Sequence, residues 1–322
     1  MRVMVTGGTG TVGLAVVDLL AARGFDVVVY AASPSAPVAR AIGGMARPVE
    51  IVEGDVRDGR RLREVMTSRR IHSVVHGAAI TPGPERERDD PSTALAVNVV
   101  GPSTVLTAFD DTCQGRFVHL GSIAAYGSAS VREDLLVEET GQERPESLYE
   151  ITKLAGESAV LRVADLRGRE AVSLRLGDVF GAWEHRTAVR DATSAPFQAL
   201  AAALAGREIV LPRAGRKAWV YTLDVAESVV AALTAPRLDH AIVNVSSPFV
   251  WSVLEWSLAL SEHLPGARVR VDEADANVRM FADNAPMSLE RGVALGYRAA
   301  YGMPRALEHY LAWARDHPDF MA

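Results

Sequence analysis

Lysine is nearly missing from this chain: it stands only at Lys153 and Lys217, and arginine fills every other cationic position apart from histidine. Cysteine is scarcer still. Cys113 is the only one, which excludes an intrachain disulfide and suits a reducing, cytoplasmic setting. There is no basic block; 40 acidic residues against 34 Lys and Arg give a net charge of −6, so no nucleic-acid partner is expected. No stretch approaches the ~20 apolar residues that cross a bilayer, so no membrane partner is expected either. The opening RVMVTGGTGTVG (2–13) has neither the basic start nor the longer apolar run of a secretory signal. No metal site is expected. What is present is 322 residues at 48% hydrophobic content, enough for one large core or a main domain with a smaller companion.

The first half alternates short β-rich runs with helix-length segments. Strands are expected at 2–6, 26–30, 49–53, 73–78, 116–120 and 171–176, with helices near 11–23, 58–69, 92–112 and 148–167. Strand runs without polar alternation, joined by helices, indicate a parallel sheet covered on both faces, the doubly wound α/β arrangement. After about residue 178 the rhythm changes. An arginine-rich loop at 182–191 leads to helices near 195–206, 223–234, 251–263 and 303–315, and to short strands near 208–211, 217–221 and 242–245. The expected organisation is a dinucleotide-binding domain over 1–178 and a smaller substrate-binding region over 179–322, with interleaving of the two left open.

TGGTGTVG (6–13) follows the first strand and opens the first helix, which places Gly7, Gly10 and Gly13 at GxxGxxG spacing. Such glycines let the backbone turn tightly and approach a pyrophosphate, while the helix N-terminus, with Thr11 and Val12, supplies N–H donors. Asp55 and Val56 follow the third strand, where the carboxylate is placed to accept from an adenine amino group. Ala78 and Ala79 end the fourth strand with small side chains beside the cofactor path. The second strand ends at Ala31, where an acid would hold a ribose 2′-hydroxyl. Ser33 and Arg40 are alternatives that would receive a 2′-phosphate, and Arg40 is equally readable as a surface residue. NAD and NADP both stay open, with a lean to NADP.

Tyr149 and Lys153 lie four apart in SLYEITKLAGE (147–157), on one face of a helix. A phenol with a free pKa of about 10 is a poor base at neutral pH, and a nearby ammonium favours its phenolate. Tyr149 is then the acid/base for a hydroxyl proton while hydride moves to or from the cofactor. Lys153 also holds the nicotinamide ribose. Ser122, at the C-terminal end of the fifth strand, is where open α/β sheets bind ligands and would polarise the substrate oxygen.

These motifs, together with NVVG (98–101), RLGDVFG (175–181) and WVYTLDVAESV (219–229), resemble the extended short-chain dehydrogenase/reductase family, the NAD-dependent epimerase/dehydratase group. The resemblance covers most of the chain. It implies a Rossmann sheet, a catalytic set of Ser122, Tyr149 and Lys153, a cofactor contact at Asn98, and a homodimer built as a four-helix bundle from the helices near 95–112 and 148–167. Several features depart from the family pattern. Ser122 is followed by Ile123 and Ala124 rather than an acidic pair, which argues against dehydration. Asp178 stands where sugar-nucleotide epimerases carry an asparagine near the substrate diphosphate. The arginine of that subsite aligns with Lys217 or, one step off, Arg216, and the segment 275–288 holds no clean match for a further arginine and acid. His185, Arg186 and Arg190 are expected over the catalytic end of the sheet, clamping a carboxylate or phosphate; the competing reading is a solvated loop paired internally with Glu184 and Asp191. Of Trp183, Trp219 and Trp251, at least two are expected in packing rather than in a substrate pocket. The expected function is NAD(P)-dependent hydride transfer at a secondary alcohol or ketone of a sugar-like or hydroxy-acid substrate, with a tilt toward a dehydrogenase. The alternatives are a nucleotide-sugar epimerase and a catalytically dead dinucleotide sensor.

Overall fold

The computed structural model describes residues 1–32 and 34–321. Twelve strands are formed among them: β1 Arg2–Thr6, β2 Asp26–Ala31, β3 Glu50–Glu53, β4 Ser73–His76, β5 Phe117–Leu120, β6 Ala171–Leu176, β7 Asp178–Phe180, β8 Ile209–Leu211, β9 Arg216–Tyr221, β10 Ile242–Val245, β11 Val250–Ser252 and β12 Val269–Val271. Seven of them make one sheet in the order β10-β6-β5-β4-β1-β2-β3, and every pairing in it is parallel. The order reverses between β1 and β4, which opens a crevice beyond their C-terminal ends.

The uninterrupted apolar runs follow from burial on both faces. Along β1, Val3 and Val5 enter one core cluster and Met4 the other. Along β2, Val27 and Val29 join the first cluster, Val28 and Tyr30 the second. Successive side chains of a strand point to opposite faces, so a doubly covered strand needs apolar residues throughout. The first cluster is capped by the helices Thr11–Ala22 and Thr222–Thr234, the second by Gly59–Ser68, Gly101–Thr112 and Leu148–Leu166.

Strand 242–245 does not stay with the C-terminal region. It joins the main sheet beside β6, in register Ile242 to Ser173. The chain therefore returns to the large sheet after residue 178, and the helix Thr222–Thr234 covers its face. β11, β9 and β7 form a separate three-stranded sheet, and β12 pairs with β8.

The expected helix over 92–112 is longer and irregular. It runs as Pro91–Leu95, a π-helical turn Ala96–Val100, and Gly101–Thr112. This corrects the expectation that no segment is long enough to span a bilayer, because the 22 residues Pro91–Thr112 include a window of mean hydropathy 1.3. The run is apolar because one side packs in the core, where Val105, Leu106, Ala108 and Phe109 are fully buried. Leu95 and Val100 remain 43% and 55% exposed.

Candidate active site

The glycine loop begins at Gly7, in the left-handed region at φ 68°. A Cβ there would lie 2.6 Å from the Ala78 nitrogen, so the loop is pressed against the end of β4. At Gly13 a Cβ would stand 2.7 Å from the Gly8 Cα and collide with the Gly7 carbonyl oxygen, which makes glycine obligatory for bringing helix and strand together. Gly10 differs. Its φ is −86°, and a Cβ would meet only the Gly7 carbonyl oxygen at 3.5 Å. The fold itself does not require glycine at that position, and the open side leaves room for a ligand to approach the backbone. The helix starting at Thr11 has no side-chain cap and no acid in its first turn. Its leading N–H groups, at Thr11 and Val12 among others, have no intrahelical partner. The donors, the dipole and the clearance therefore fit the diphosphate of a dinucleotide.

This gives a prediction at two neighbouring glycines. Gly13→Ala should lower the melting temperature of the cofactor-free protein, because backbone atoms must shift. Gly10→Ala should cost less than about 1 kcal/mol of fold stability while weakening dinucleotide binding. Thermal melts with and without cofactor check both.

Ser122 N-caps a short 3-10 turn, Ile123–Tyr126, and its Oγ accepts from the Ala124 N–H at 3.1 Å. Tyr149 is half-buried in the first turn of the helix Leu148–Leu166, whose start is fixed by a Ser147–Glu150 capping box. Lys153 is only 7% exposed, and its Nζ donates to the carbonyl of Leu120, the last residue of β5, at 2.7 Å. One hydrogen bond thus ties the lysine to the strand end that continues into Ser122. Tyr149 stands one helical turn before that lysine.

The surroundings hold that helix in place. Gly156 packs so closely on the π-turn that a Cβ would collide with the Asn98 carbonyl oxygen. One turn beyond Lys153, Glu157 bonds Ser173 (2.8 Å) and the fully buried Arg175 (2.6 Å). Arg175 also reaches Glu143 at 2.9 Å and lies over the Tyr126 ring at 4.5 Å. Beneath the site, His76 and His119 stack at 5.6 Å. Burial, with a contribution from the charge of Lys153, pushes the His76 imidazole down to about 3 and drives His119 well down too. Both rings are therefore neutral near pH 7, and His76 exchanges a 2.8 Å hydrogen bond with the Thr6 hydroxyl.

Other expected residues take different partners. The amide of Asn98 accepts from the Ile80 N–H and donates to the Ile80 carbonyl, both at 2.8 Å, and donates to Thr152 Oγ1 at 3.1 Å. Its donors are thereby used, so the side chain braces the β4 loop against the helix of Tyr149 rather than facing a cofactor. Asp55 holds Arg57 through both carboxylate oxygens, with Nε 2.9 Å from Oδ1 and Nη2 2.5 Å from Oδ2. That hydrogen bonding keeps the carboxyl below its ordinary range. Val56 is buried against Gly101, and Ala78 lines the underside of Gly7; Ala79 follows it, half-buried. Ser33 lies outside the described residues. Arg40 pairs with Asp319 near the C-terminus (2.7 Å), so its guanidinium is engaged there instead of standing free for a 2′-phosphate.

His185 and Arg190 take partners within the protein, and the Arg190–Glu184 pair is the internal pairing of the competing reading. His185 Nδ1 shares a 2.9 Å hydrogen bond with the Trp183 carbonyl, and its ring packs on Phe320 at 5.3 Å. Burial pushes that imidazole down. Arg186 is exposed. Arg190 turns to Glu184 and to Thr11 of the glycine loop. Asp178 instead carries the polar partners at the start of β7: Lys217 Nζ at 2.8 Å and Asn284 Nδ2 at 2.8 Å. Lys217 is 4% exposed, whereas Arg216 faces out toward Glu255 at 3.5 Å. Asn284 carried no signal in the sequence, since nothing local links it to Asp178. All three singled-out tryptophans are buried in aromatic clusters: Trp219 stacks on Trp251 at 5.5 Å, and Trp183 packs edge-on to Trp313 at 5.3 Å.

A crevice at a sheet reversal, a glycine-cradled helix start, and a Ser, Tyr and Lys set at the neighbouring strand end define a family. The chain belongs to the NAD dependent epimerase/dehydratase family, whose sequence profile matches residues 3–246. It is 26% identical over 355 residues to the dTDP-L-rhamnose 4-epimerase of Burkholderia thailandensis, a match covering 99% of this chain and 96% of that protein. It is 32% identical over 187 residues to the UDP-glucose 4-epimerase of Lacticaseibacillus casei, covering 56% of this chain and about half, 53%, of that relative. Among solved structures, the fold is similar to a UDP-glucose-4-epimerase from Stenotrophomonas maltophila with bound NAD and formylated UDP-arabinopyranose, at TM-score 0.81 and 24% identity over 99% of each chain.

Proposed function

We propose that this protein catalyses NAD(P)-dependent hydride transfer at a secondary alcohol or ketone of a sugar-like or hydroxy-acid substrate. The observation that carries the reading is the buried Lys153 ammonium, anchored on the Leu120 carbonyl one helical turn after Tyr149 and two residues before Ser122. An ammonium has three donors; one is spent on Leu120, leaving two for the phenol and a cofactor ribose. Ser122 donates to the substrate oxygen, Tyr149 takes or returns its proton, and Lys153 offsets the negative charge that the phenol gains. The nicotinamide, when bound, supplies the hydride acceptor and donor. Dehydration has no support, because Ile123 and Ala124 occupy the places next to Ser122.

A nucleotide-sugar epimerase is the second reading, and a specific observation favours it. The Asp178 carboxylate is met by Lys217 and Asn284, so it does not stand uncompensated against a substrate diphosphate. The near full-length match to a dTDP-sugar epimerase supports it as well. A second copy of the chain is the expected partner, in the cytoplasm. Apolar residues exposed on the two helices of the proposed four-helix bundle support the pairing, with Val100 at 55%, Ile151 at 43% and Leu166 at 67%. Sedimentation velocity reads that state.

The test is incubation with NAD or NADP and a panel of hydroxy acids, free sugars and sugar nucleotides. Near-ultraviolet absorbance reports net redox, and proton NMR reports stereochemistry. A changed stereocentre at constant absorbance marks an epimerase, and accumulating reduced cofactor a dehydrogenase. If no substrate of any of these classes changes, the reading fails.

A further inference from the structure

Arg190 belongs to a segment that crosses the crevice rather than lining its floor. Its Nη1 lies 3.4 Å from the hydroxyl of Thr11, in the first turn of the glycine-loop helix. The same nitrogen is 3.2 Å from Oε1 of Glu184, a fully buried carboxylate. Glu184 is itself fixed by the Ser194 N–H and the Ser194 hydroxyl, both at 2.7 Å. A buried carboxylate held from two sides gives the guanidinium a rigid seat. Arginine has five N–H donors in a planar fork, so this seat leaves donors directed elsewhere.

The next residue fastens the other end. Asp191 accepts from the Gly83 N–H at 2.7 Å and from Arg86 Nη2 at 2.8 Å. Arg86 also donates to the Ala188 carbonyl at 2.8 Å. The Thr81 N–H meets the Val189 carbonyl at 2.8 Å, and the Asp191 N–H meets the Thr81 carbonyl at 3.3 Å. Residues 81–83 belong to the loop that follows β4, while Thr11 opens the helix that follows β1 and the glycine loop. Segment 184–191 therefore spans the gap between the two strands at which the sheet order reverses. The clasp at its end is accessible, with the Arg86 and Asp191 side chains 33% and 30% exposed.

We infer that segment 184–191 is a strap over the dinucleotide, that Arg190 grips the cofactor diphosphate beside the helix N-terminus, and that the Asp191–Arg86 clasp slows cofactor exchange. This rests on the reading of the glycine loop as a dinucleotide cradle. It moves Arg190 from substrate recognition to cofactor retention. A strap that retains the cofactor suits a cycle in which hydride leaves the substrate and returns to it, because the cofactor then need not exchange between turnovers.

The experiment compares the wild type with Arg190→Gln and Arg86→Gln. NADH, NADPH, ADP-ribose and AMP are titrated by fluorescence or calorimetry, and cofactor release is timed by stopped-flow displacement with excess ADP-ribose. Arg190→Gln should weaken binding of the preferred reduced cofactor and of ADP-ribose by about tenfold or more, and flatten the salt dependence of their affinity. It should change AMP binding far less, because AMP lacks the diphosphate. Arg86→Gln should speed both association and release about tenfold while moving the dissociation constant much less. Arg86→Gln should melt with the wild type, since its ion pair is partly exposed. Arg190→Gln takes the cation from the fully buried Glu184, so its melting temperature should fall, and its binding is measured well below that melt. If the wild type binds cofactor and Arg190→Gln binds it equally well, the strap is overturned and the cofactor reading stands. If release from Arg86→Gln matches the wild type, the clasp is overturned. If the wild type binds neither NADH nor NADPH, the cradle itself is misread and the strap falls with it.

Discussion

Tyr149→Phe is expected to lower turnover by about 10²–10⁴-fold while leaving fold and cofactor affinity unchanged. The substitution removes one oxygen from a half-buried ring in the first turn of its helix. The capping box at Ser147 and Glu150 and the Thr152 hydroxyl bond to the Tyr149 carbonyl (3.0 Å) do not involve that oxygen. No backbone partner is lost and no cavity opens, so a stability change would have no source. What disappears is the phenol proposed to take and return the hydroxyl proton. The measurement is kcat on the substrate found by the panel, with a melt and a cofactor titration on the same preparation. Unchanged turnover with intact cofactor binding would remove the acid/base assignment and favour a dinucleotide-sensing regulator.

The second large effect belongs to Lys153. Lys153→Met should lower kcat/KM by about 10²-fold or more, from the loss of charge-assisted hydrogen bonds made during reaction. Unlike Tyr149→Phe, it should also weaken cofactor binding, because the same ammonium is expected to hold the ribose. Stability should change little. Methionine fills a similar volume, and removing a buried ammonium offsets the loss of the 2.7 Å bond to Leu120. Lys153→Arg tests whether charge alone suffices. The planar guanidinium is broader than an ammonium and the lysine is 7% exposed, so arginine should keep the fold without restoring turnover. Recovery of most activity by arginine would show that position on Leu120 is less demanding than proposed. The contrast between the two sites is the informative result: a kcat effect alone at Tyr149, and kcat together with cofactor affinity at Lys153.

The glycine loop and the Tyr149–Lys153 pair were legible because their geometry is local. A strand, a turn of left-handed glycine and a helix start are fixed by residues within a few positions of one another. A four-residue separation puts two side chains on one helix face whatever surrounds them. The parallel sheet was legible for a related reason: strands buried on both faces lose their polar alternation. β10 is legible as a strand, but its short apolar run says nothing about which neighbour it pairs with, and only the fold places it beside β6.

The fate of the charges was less legible. In the sequence Arg190 fits a substrate clamp or an internally paired loop equally, and neither reading holds its bond to Thr11, 179 positions away. Asp178 finds Asn284 across 106, and Asn98 braces Thr152 across 54. With 34 Lys and Arg and 40 Asp and Glu in the chain, composition leaves many pairings equally plausible. The sheet class, the glycine loop and the placement of Tyr149 and Lys153 on one helix face follow from short stretches of sequence, because steric limits on the backbone and helical periodicity act over a few residues. Where Asp178, Arg190 and Asn98 spend their hydrogen bonds is set by long-range packing instead. Those partners are chosen by which loops the packed sheet brings within about 3 Å of one another.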